Sequence, residues 1–176
     1  QKDLTITKSN SLNADGSETH TISVAGNVAH SGTASLESDL TIVMNGITAQ
    51  QVGCSSSGYL GSLQISNTSA TVSLSNNLLL KGSLTIDTNA TLDVTDSNYS
   101  ITVNGNWTRN GIFTQRQGTV TLNGGVVDGT SIITGQTTFY NLVLTGWYGI
   151  NISDDLIVQK DLTITKSNSL NADGSE

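Results

Sequence analysis

The chain has 176 residues, a formal net charge of −7, 12% charged residues and 35% hydrophobic residues. The acidic balance argues against a nucleic-acid partner, because phosphate binding needs an excess of Lys and Arg. No stretch approaches the roughly 20 consecutive apolar residues of a membrane-spanning helix, and the few charges do not fit a highly charged disordered chain.

The amino-terminal segment QKDLTITKSNSLNADGSE recurs without a change at the other end. It occupies residues 1–18 and 159–176, a spacing of 158 residues. A folded domain does not need to end in a copy of its own beginning, whereas an overlapping cut through a tandem array looks like this. We therefore expect residues 1–176 to form one continuous segment with a 158-residue period, and the two copies to be related by a shift and rotation along one axis.

A weaker repeat of about 79 residues divides this period. The segment His20–Val28 resembles Tyr99–Trp107 at an offset of 79, and Leu78–Ile86 resembles Leu156–Ile164 at an offset of 78. The unit is thus predicted to consist of two diverged halves, approximately residues 20–98 and 99–176.

Strand-like segments, each with two apolar residues two positions apart, recur along the whole chain. In order they centre on Ile22/Val24, Leu40/Ile42, Leu63/Ile65, Leu84/Ile86, Ile101/Val103, Val120/Leu122, Leu142/Leu144 and Leu162/Ile164. Period-two alternation between Asn-Gly and Asp-Gly turns is typical of strands. We predict an all-β fold with about 20 residues per coil and about eight coils per period, in which Ile22, Ile42, Ile65, Ile86, Val103, Leu122 and Leu144 point inward.

Two all-β architectures fit this pattern. One is a string of immunoglobulin-like sandwiches, and the other is a parallel β-solenoid whose coils stack on one another. The chain contains no proline. This favours the solenoid, because nearly every strand residue must pair with a neighbouring coil and proline has no N–H to donate. Recurrence of Leu-Thr-Ile at residues 40–42, 84–86 and 162–164 also favours stacking of like on like.

Three phrases in the second half suggest a family. Residues 105–114 read GNWTRNGIFT, residues 118–124 read GTVTLNG, and residues 138–142 read TFYNL. In this order they resemble repetitive bacterial surface and secreted proteins with adhesin-like tandem arrays. The resemblance implies a right-handed β-helix in a large protein that is extracellular or at the cell surface. The first half departs from the pattern, since Val28 replaces the tryptophan and residues 50–58 lack the TFYNL context.

The sequence predicts no catalytic site, no cofactor and no dedicated metal site. Polysaccharide enzymes also use β-helices, but their chemistry needs clustered carboxylates. The best such candidates are Asp93, Asp96, Asp154 and Asp155. Aspartate is common in turns, so a turn role is expected for all four, with calcium binding as the alternative because calcium takes carboxylate and carbonyl oxygens.

Two further features are candidates for contacts with other molecules. Trp147 and Tyr148 interrupt the alignment of the halves, and such aromatics either stack on sugars or proteins or cover the open side of a coil. Cys54 has no partner cysteine in the chain. It is expected to be a small buried side chain, or else a thiol that pairs once per period with a neighbouring fibre.

These features together predict a structural repeat unit. The expected role is a segment of a long extracellular filament, stalk or adhesin shaft whose main partner is the next unit of the same kind. The alternative is an adhesion module that binds surface glycans or other cells through its loop aromatics. A polysaccharide-acting enzyme is the third possibility.

Overall fold

The protein is a parallel β-solenoid. The computed structural model describes residues 2–7, 18–55, 57–124, 129–146, 148–165 and 170–172. These residues contain strands and no helix, and they form about seven turns of about 21 residues each. Every strand pairing within them is parallel. The predicted solenoid is therefore confirmed, and the alternative of sandwiches, which are built from antiparallel sheets, is wrong.

The coils are made of short strands of three to six residues. In chain order they are β1 Leu4–Ile6, β2 His20–Val24, β3 Val28–His30, β4 Leu40–Met44, β5 Gln50–Cys54, β6 Ser62–Ile65, β7 Val72–Leu74, β8 Leu78–Leu80, β9 Leu84–Ile86, β10 Thr91–Asp93, β11 Ile101–Val103, β12 Trp107–Arg109, β13 Ile112–Thr114, β14 Thr119–Gly124, β15 Ser131–Thr134, β16 Thr137–Phe139, β17 Asn141–Gly146, β18 Ile150–Ile152, β19 Leu156–Val158, β20 Leu162–Ile164 and β21 Leu170–Ala172.

Three sheets run along the axis. Sheet 1 has the order β1-β3-β5-β7-β10-β13, sheet 2 has β2-β4-β6-β9-β12-β15-β18-β21, and sheet 3 has β8-β11-β14-β17-β20. A regular coil visits sheet 3, then sheet 2, then sheet 1, as β8, β9 and β10 do before β11 returns to sheet 3. In the last coils the pair β16-β19 takes the place of sheet 1 in this order. In the early coils Leu36 and Leu60 are aligned with sheet 3, since Leu36 N–H donates to Tyr59 C=O at 2.8 Å and Leu60 bridges Leu80 of β8.

Alternation along each strand fills a narrow apolar core. Of the residues expected to point inward, six are at most 1% exposed: Ile42, Ile65, Ile86, Val103, Leu122 and Leu144. The seventh, Ile22, is only partly buried against that core, because β2 has a paired neighbour on one side alone in the described part of the chain. Full burial of each such aliphatic side chain contributes about 1.5–3 kcal/mol relative to leaving it in water. Stacked columns of these residues therefore hold the coils together.

An aromatic cluster fills the core where sheet 1 gives way to the β16-β19 pair. The ring of Trp107 lies edge-on to Phe113 and Phe139, with centroid distances of 4.9 and 5.1 Å. Trp107 is fully buried, and its indole N–H donates to Thr137 Oγ1 at 3.3 Å. The tryptophan of the GNWT phrase is thus a packing residue, as edge-to-face aromatic geometry and a satisfied N–H both indicate.

Side chains extend the hydrogen-bonded ladder around the corners between sheets. Side-chain oxygens of one coil accept from backbone N–H groups of the following coil at 2.7–3.0 Å. The acceptor-to-donor pairs are Asp3 to Asn27, Asn27 to Gln51, Ser62 to Ser83, Asn77 to Ser100, Ser83 to Asn106, Asn98 to Gln117 and Asn106 to Ile132. The Ser and Asn content of the sequence therefore satisfies backbone groups that the strands leave unpaired.

The coil count differs from the sequence-based expectation of eight. Paired residues in adjacent coils are separated by as few as 19 positions (Ile101 and Val120) and as many as 26 (Trp107 and Ile133). In addition, the first four of the eight apolar markers lie in sheet 2 and the last four in sheet 3. The step from β9 to β11 is therefore shorter than one turn, and eight markers span only about seven turns.

A buried polar pair lies inside the early coils. Gln50 and Asn67 are each 1% exposed. The Gln50 amide donates to the carbonyls of Val24 and Gly26, and its oxygen accepts from Gly46 N–H at 2.9 Å and from the Asn67 amide at 3.1 Å. Buried amides are tolerated only when their hydrogen bonds are made, and here Gln50 links three coils.

Replacing Gln50 by Leu should lower the free energy of unfolding by about 3 kcal/mol, because it strips partners from several buried groups at once. The neighbouring substitution Gln51→Leu is the matched control, since that side chain is exposed, and it should change stability by less than about 0.5 kcal/mol. Urea unfolding followed by circular dichroism measures both. Equal stability of the two variants would contradict the role assigned to Gln50.

Candidate functional site

The two copies of the repeated segment lie at opposite ends of the coil stack. Residues 2–7 and 160–165 have the same sequence, KDLTIT, and both copies form a strand over Leu-Thr-Ile. Among the described residues, β1 of the first copy pairs only with β3 of the following coil. Within the same part of the chain, β20 of the second copy pairs only with β17 of the preceding coil. One sequence is thus seen with a neighbour on either side.

The two copies use opposite backbone edges. In the first, Leu4 N–H donates to Asn27 C=O at 2.8 Å, and Ile6 C=O accepts from Ser31 N–H at 2.8 Å. In the second, Asp161 C=O accepts from Leu142 N–H at 2.9 Å, and Thr165 N–H donates to Leu144 C=O at 2.9 Å. Alternate residues of a parallel strand bond to opposite neighbours. The edge that each copy leaves open is therefore the edge that the other copy has paired.

Side-chain burial follows the same division. Leu4 and Ile6 are half-buried and pack against the core. Their counterparts Leu162 and Ile164 are 48% and 47% exposed. The same residues are less covered in the second copy, where no following coil is present among the described residues. Among the described residues, β20 thus carries half-exposed apolar side chains and pairs along the edge that faces β17.

A second candidate region surrounds Arg116, at a corner between sheets 1 and 3. Its guanidinium forms two hydrogen bonds with the carboxylate of Asp93, at 2.9 and 3.1 Å, and one with Asp96 at 2.7 Å. Thr95, Asn98 and Arg116 all adopt positive φ angles, of 64°, 55° and 46°. Non-glycine residues in that region are uncommon, and the ion pairs accompany a tightly turned backbone.

This arrangement changes the acidity of Asp93. Partial burial raises the pKa of its carboxyl group, but the hydrogen bond from Arg116, the N–H of Thr95 and the positive charge of Arg116 act in the opposite direction. Together they outweigh burial and hold the pKa of Asp93 below its ordinary value. The carboxylate therefore stays ionised over the neutral range and is engaged with a cation of the same chain.

The four acidic candidates from the sequence do not meet. Asp93 ends β10 and Asp96 follows it, whereas Asp154 and Asp155 lie between β18 and β19 at another corner. There Asp154 accepts from Gly135 N–H at 2.7 Å; Gly135 has φ +84°, and a Cβ on it would collide with the backbone of Arg109. No group of three or more His, Cys, Asp or Glu residues in the described part of the chain is arranged to hold a metal ion. Calcium binding at these positions stays a prediction.

A groove lies beside the Arg116 corner. It has a volume of about 490 Å³ and is lined by Asp96, Asn98, Arg116, Gln117, Tyr140 and Gln159. The ammonium group of Lys160 lies 5.7 Å from the centroid of the Tyr140 ring, a cation–π contact. The groove thus combines one aromatic ring with carboxamide and charged side chains, a mixture that can hydrogen-bond to a polar ligand.

The predicted aromatic contact surface is only partly defined. Tyr148 is 58% exposed, so its ring is available to another molecule. Trp147 lies outside the described residues. The sequence predicts an aromatic contact at Trp147 and Tyr148 but not at Tyr140. Arg116 of the preceding coil and Gln159 of the following coil line the same groove as Tyr140, and nothing in the TFYNL phrase indicates these neighbours.

Cys54 is a buried thiol. It is 3% exposed, and its sulfur lies 3.9 Å from the Leu79 carbonyl oxygen. Burial raises the pKa of the thiol, although hydrogen bonds with the backbone of Leu79 and Leu60 lower it in part. Only the thiolate exchanges with disulfides, so both burial and the raised pKa oppose pairing between fibres. Inter-chain pairing of Cys54 stays a prediction.

Replacing Arg116 by Gln should raise the pKa of Asp93, because the hydrogen bond and the positive charge of Arg116 that lower it are removed. In the intact protein the depressed pKa adds stability above the unfolded value of about 3.9, and this is lost as the pH falls through the folded pKa. Titration of the Asp93 carboxyl carbon by NMR measures the shift. Lys81→Gln, which removes a cation paired with Glu37 elsewhere, is the control; an unchanged Asp93 pKa in Arg116→Gln would contradict the assignment.

Comparisons with known proteins do not identify a family for this chain. No protein-family model, curated protein or solved structure matches the chain at a significant level. None of the helices needed to cross a bilayer occurs in the described part of the chain, which is entirely strand and loop.

Proposed function

We propose that this chain is a structural repeat unit of a long extracellular or cell-surface filament, stalk or adhesin shaft. Its partner is the next unit of the same sequence, added end to end so that the coils continue. The role is mechanical and requires no catalytic group. Its working elements are the hydrogen bonds between coils and an edge that accepts the following coil.

One observation carries this proposal. The segment KDLTIT is paired with a following coil in one copy and with a preceding coil in the other. Superposing the two copies would give a strand with neighbours on both sides and no open edge. An open, partly apolar strand edge is otherwise prone to non-specific association, so a fold that repeats it benefits from continuation.

The groove at Arg116 and exposed Tyr148 favour a second candidate, an adhesion module that binds glycans. Aromatic rings and carboxamide side chains around Tyr140 suit the apolar faces and hydroxyls of a sugar. A polysaccharide-acting enzyme has less support, since the carboxylates at the Arg116 corner are paired with a cation.

The shaft proposal predicts that a second period lengthens the molecule without widening it. Appending a further copy of residues 19–176 should add about seven turns, and therefore about 34 Å at 4.8 Å per turn. Small-angle X-ray scattering of the one-period and two-period chains measures the length and the cross-section. A compact two-period particle with an enlarged cross-section would contradict a continuous shaft.

A single buried charge should interrupt that shaft. Ile101 is fully buried in sheet 3, so Ile101→Asp should unfold the coils around it, because an unpaired buried charge costs several kcal/mol. Ile112, which is 56% exposed in β13, provides the control substitution Ile112→Asp. Electron microscopy and circular dichroism of the two-period chain should show shortened or irregular rods for the first variant only.

Binding to a glycan array distinguishes the two proposed functions. A shaft segment should give no specific signal, whereas an adhesion module should bind a defined sugar and lose that binding in Tyr140→Ala or Tyr148→Ala. The exposed substitution Ile47→Ala, on a loop far along the chain, should leave any binding unchanged. A specific signal abolished by either tyrosine variant would favour the adhesion module.

A further inference from the structure

The two halves of the period do not lie on the same sheets. Sequence alignment matches β2 to β11, yet β2 belongs to sheet 2 and β11 to sheet 3. It also matches β3 to β12, and these lie in sheet 1 and sheet 2. The same one-sheet displacement relates β9 to β20, in sheet 2 and sheet 3. Similar sequences are therefore displaced by one sheet around the axis.

Counting the pairings gives the size of this displacement. From β2, three successive pairings in sheet 2 lead through β4 and β6 to β9. From β9 the chain passes β10 in sheet 1 and reaches β11 in sheet 3, two corners further. The half-repeat thus spans three and two-thirds turns instead of a whole number.

The two identical copies show the same displacement over the full period. From β1, five pairings in sheet 1 lead to β13, one corner leads to β14 in sheet 3, and two further pairings lead to β20. The 158-residue period therefore spans seven and one-third turns. Identical residues Leu4–Ile6 and Leu162–Ile164 consequently lie in sheet 1 and sheet 3.

We infer that the β20 edge is a docking surface for the following unit, which joins with a one-sheet rotation. Sheet 1 of the following unit continues sheet 3 of the preceding one, so that β17, β20 and the next unit's β3 form one ladder. This inference rests on the proposed function, and it specifies which sheet meets which. It follows from the two observed pairings of one sequence, β17 with β20 and β1 with β3.

The rotation determines how features are displayed along a filament. A side chain that occurs once per period appears on a different sheet in each of three successive units. It returns to the same sheet after 22 turns, which is about 106 Å at 4.8 Å per turn. No lateral side of the filament then repeats the same chemistry in every unit.

Disulfide trapping in the two-period chain tests the ladder. With Cys54→Ala in both periods, Thr163→Cys is combined either with Val143→Cys or with Ala29→Cys of the second period. Thr163 is opposite Val143, and its counterpart Thr5 is opposite Ala29. Strand neighbours at about 4.8 Å are within disulfide range. Both pairs should cross-link with diamide in high yield, because the same strand has both neighbours.

Ser35→Cys of the second period with Thr163→Cys is the matched control. Ser35 precedes Leu36, which is aligned with sheet 3 because its N–H bonds to Tyr59 C=O and the adjacent Leu60 bridges Leu80 of β8, so this pair should cross-link only if sheet 3 continues on sheet 3. Efficient cross-linking of Thr163→Cys to Ser35→Cys would overturn the inference, as would loss of either expected pair. If scattering still shows a lengthened rod in those cases, the shaft proposal stands and only the rotation fails. If the rod does not lengthen, the proposed function fails as well.

Discussion

The structure depends on satisfying backbone hydrogen bonds between stacked coils at the corners as well as in the strands. A short strand of three residues pairs only a few groups, and each coil must turn three times. Asn and Ser oxygens at the corners accept the N–H groups that would otherwise be left unpaired. The absence of proline and the abundance of small polar residues both follow from this requirement.

Much of the fold could be predicted from the sequence. The period-two pattern indicates strands, and the absence of proline favours stacked coils. Both signals are local and follow from backbone chemistry. The coil count was harder, because the sequence does not mark which sheet a Leu-Thr-Ile segment joins. Marker spacing does not reveal the change of sheet, since Leu84 and Ile101 are 17 positions apart across it while Ile22 and Leu40 are 18 apart within sheet 2.

The candidate sites were less predictable, since they depend on residues about one coil apart. Arg116 meets Asp93 only because 23 residues bring the chain back to the same corner. Gln50 likewise looks like an ordinary polar residue, although it joins three coils from inside the core. In contrast, the terminal repeat was visible from sequence identity alone. The structure adds that its two copies use opposite edges.

The corner hydrogen bonds have a consequence for how the chain folds. In the pairs formed by Asp3, Asn27 and Ser83, the side-chain acceptor belongs to the earlier coil and the backbone donor to the later one. A completed coil therefore presents side-chain acceptors that are already in position for the backbone N–H groups of the next coil. The next coil offers fewer side-chain acceptors to the coil before it, so this templating has a direction. It favours growth of ordered structure from the amino end toward the carboxyl end, the same order in which the chain is synthesised.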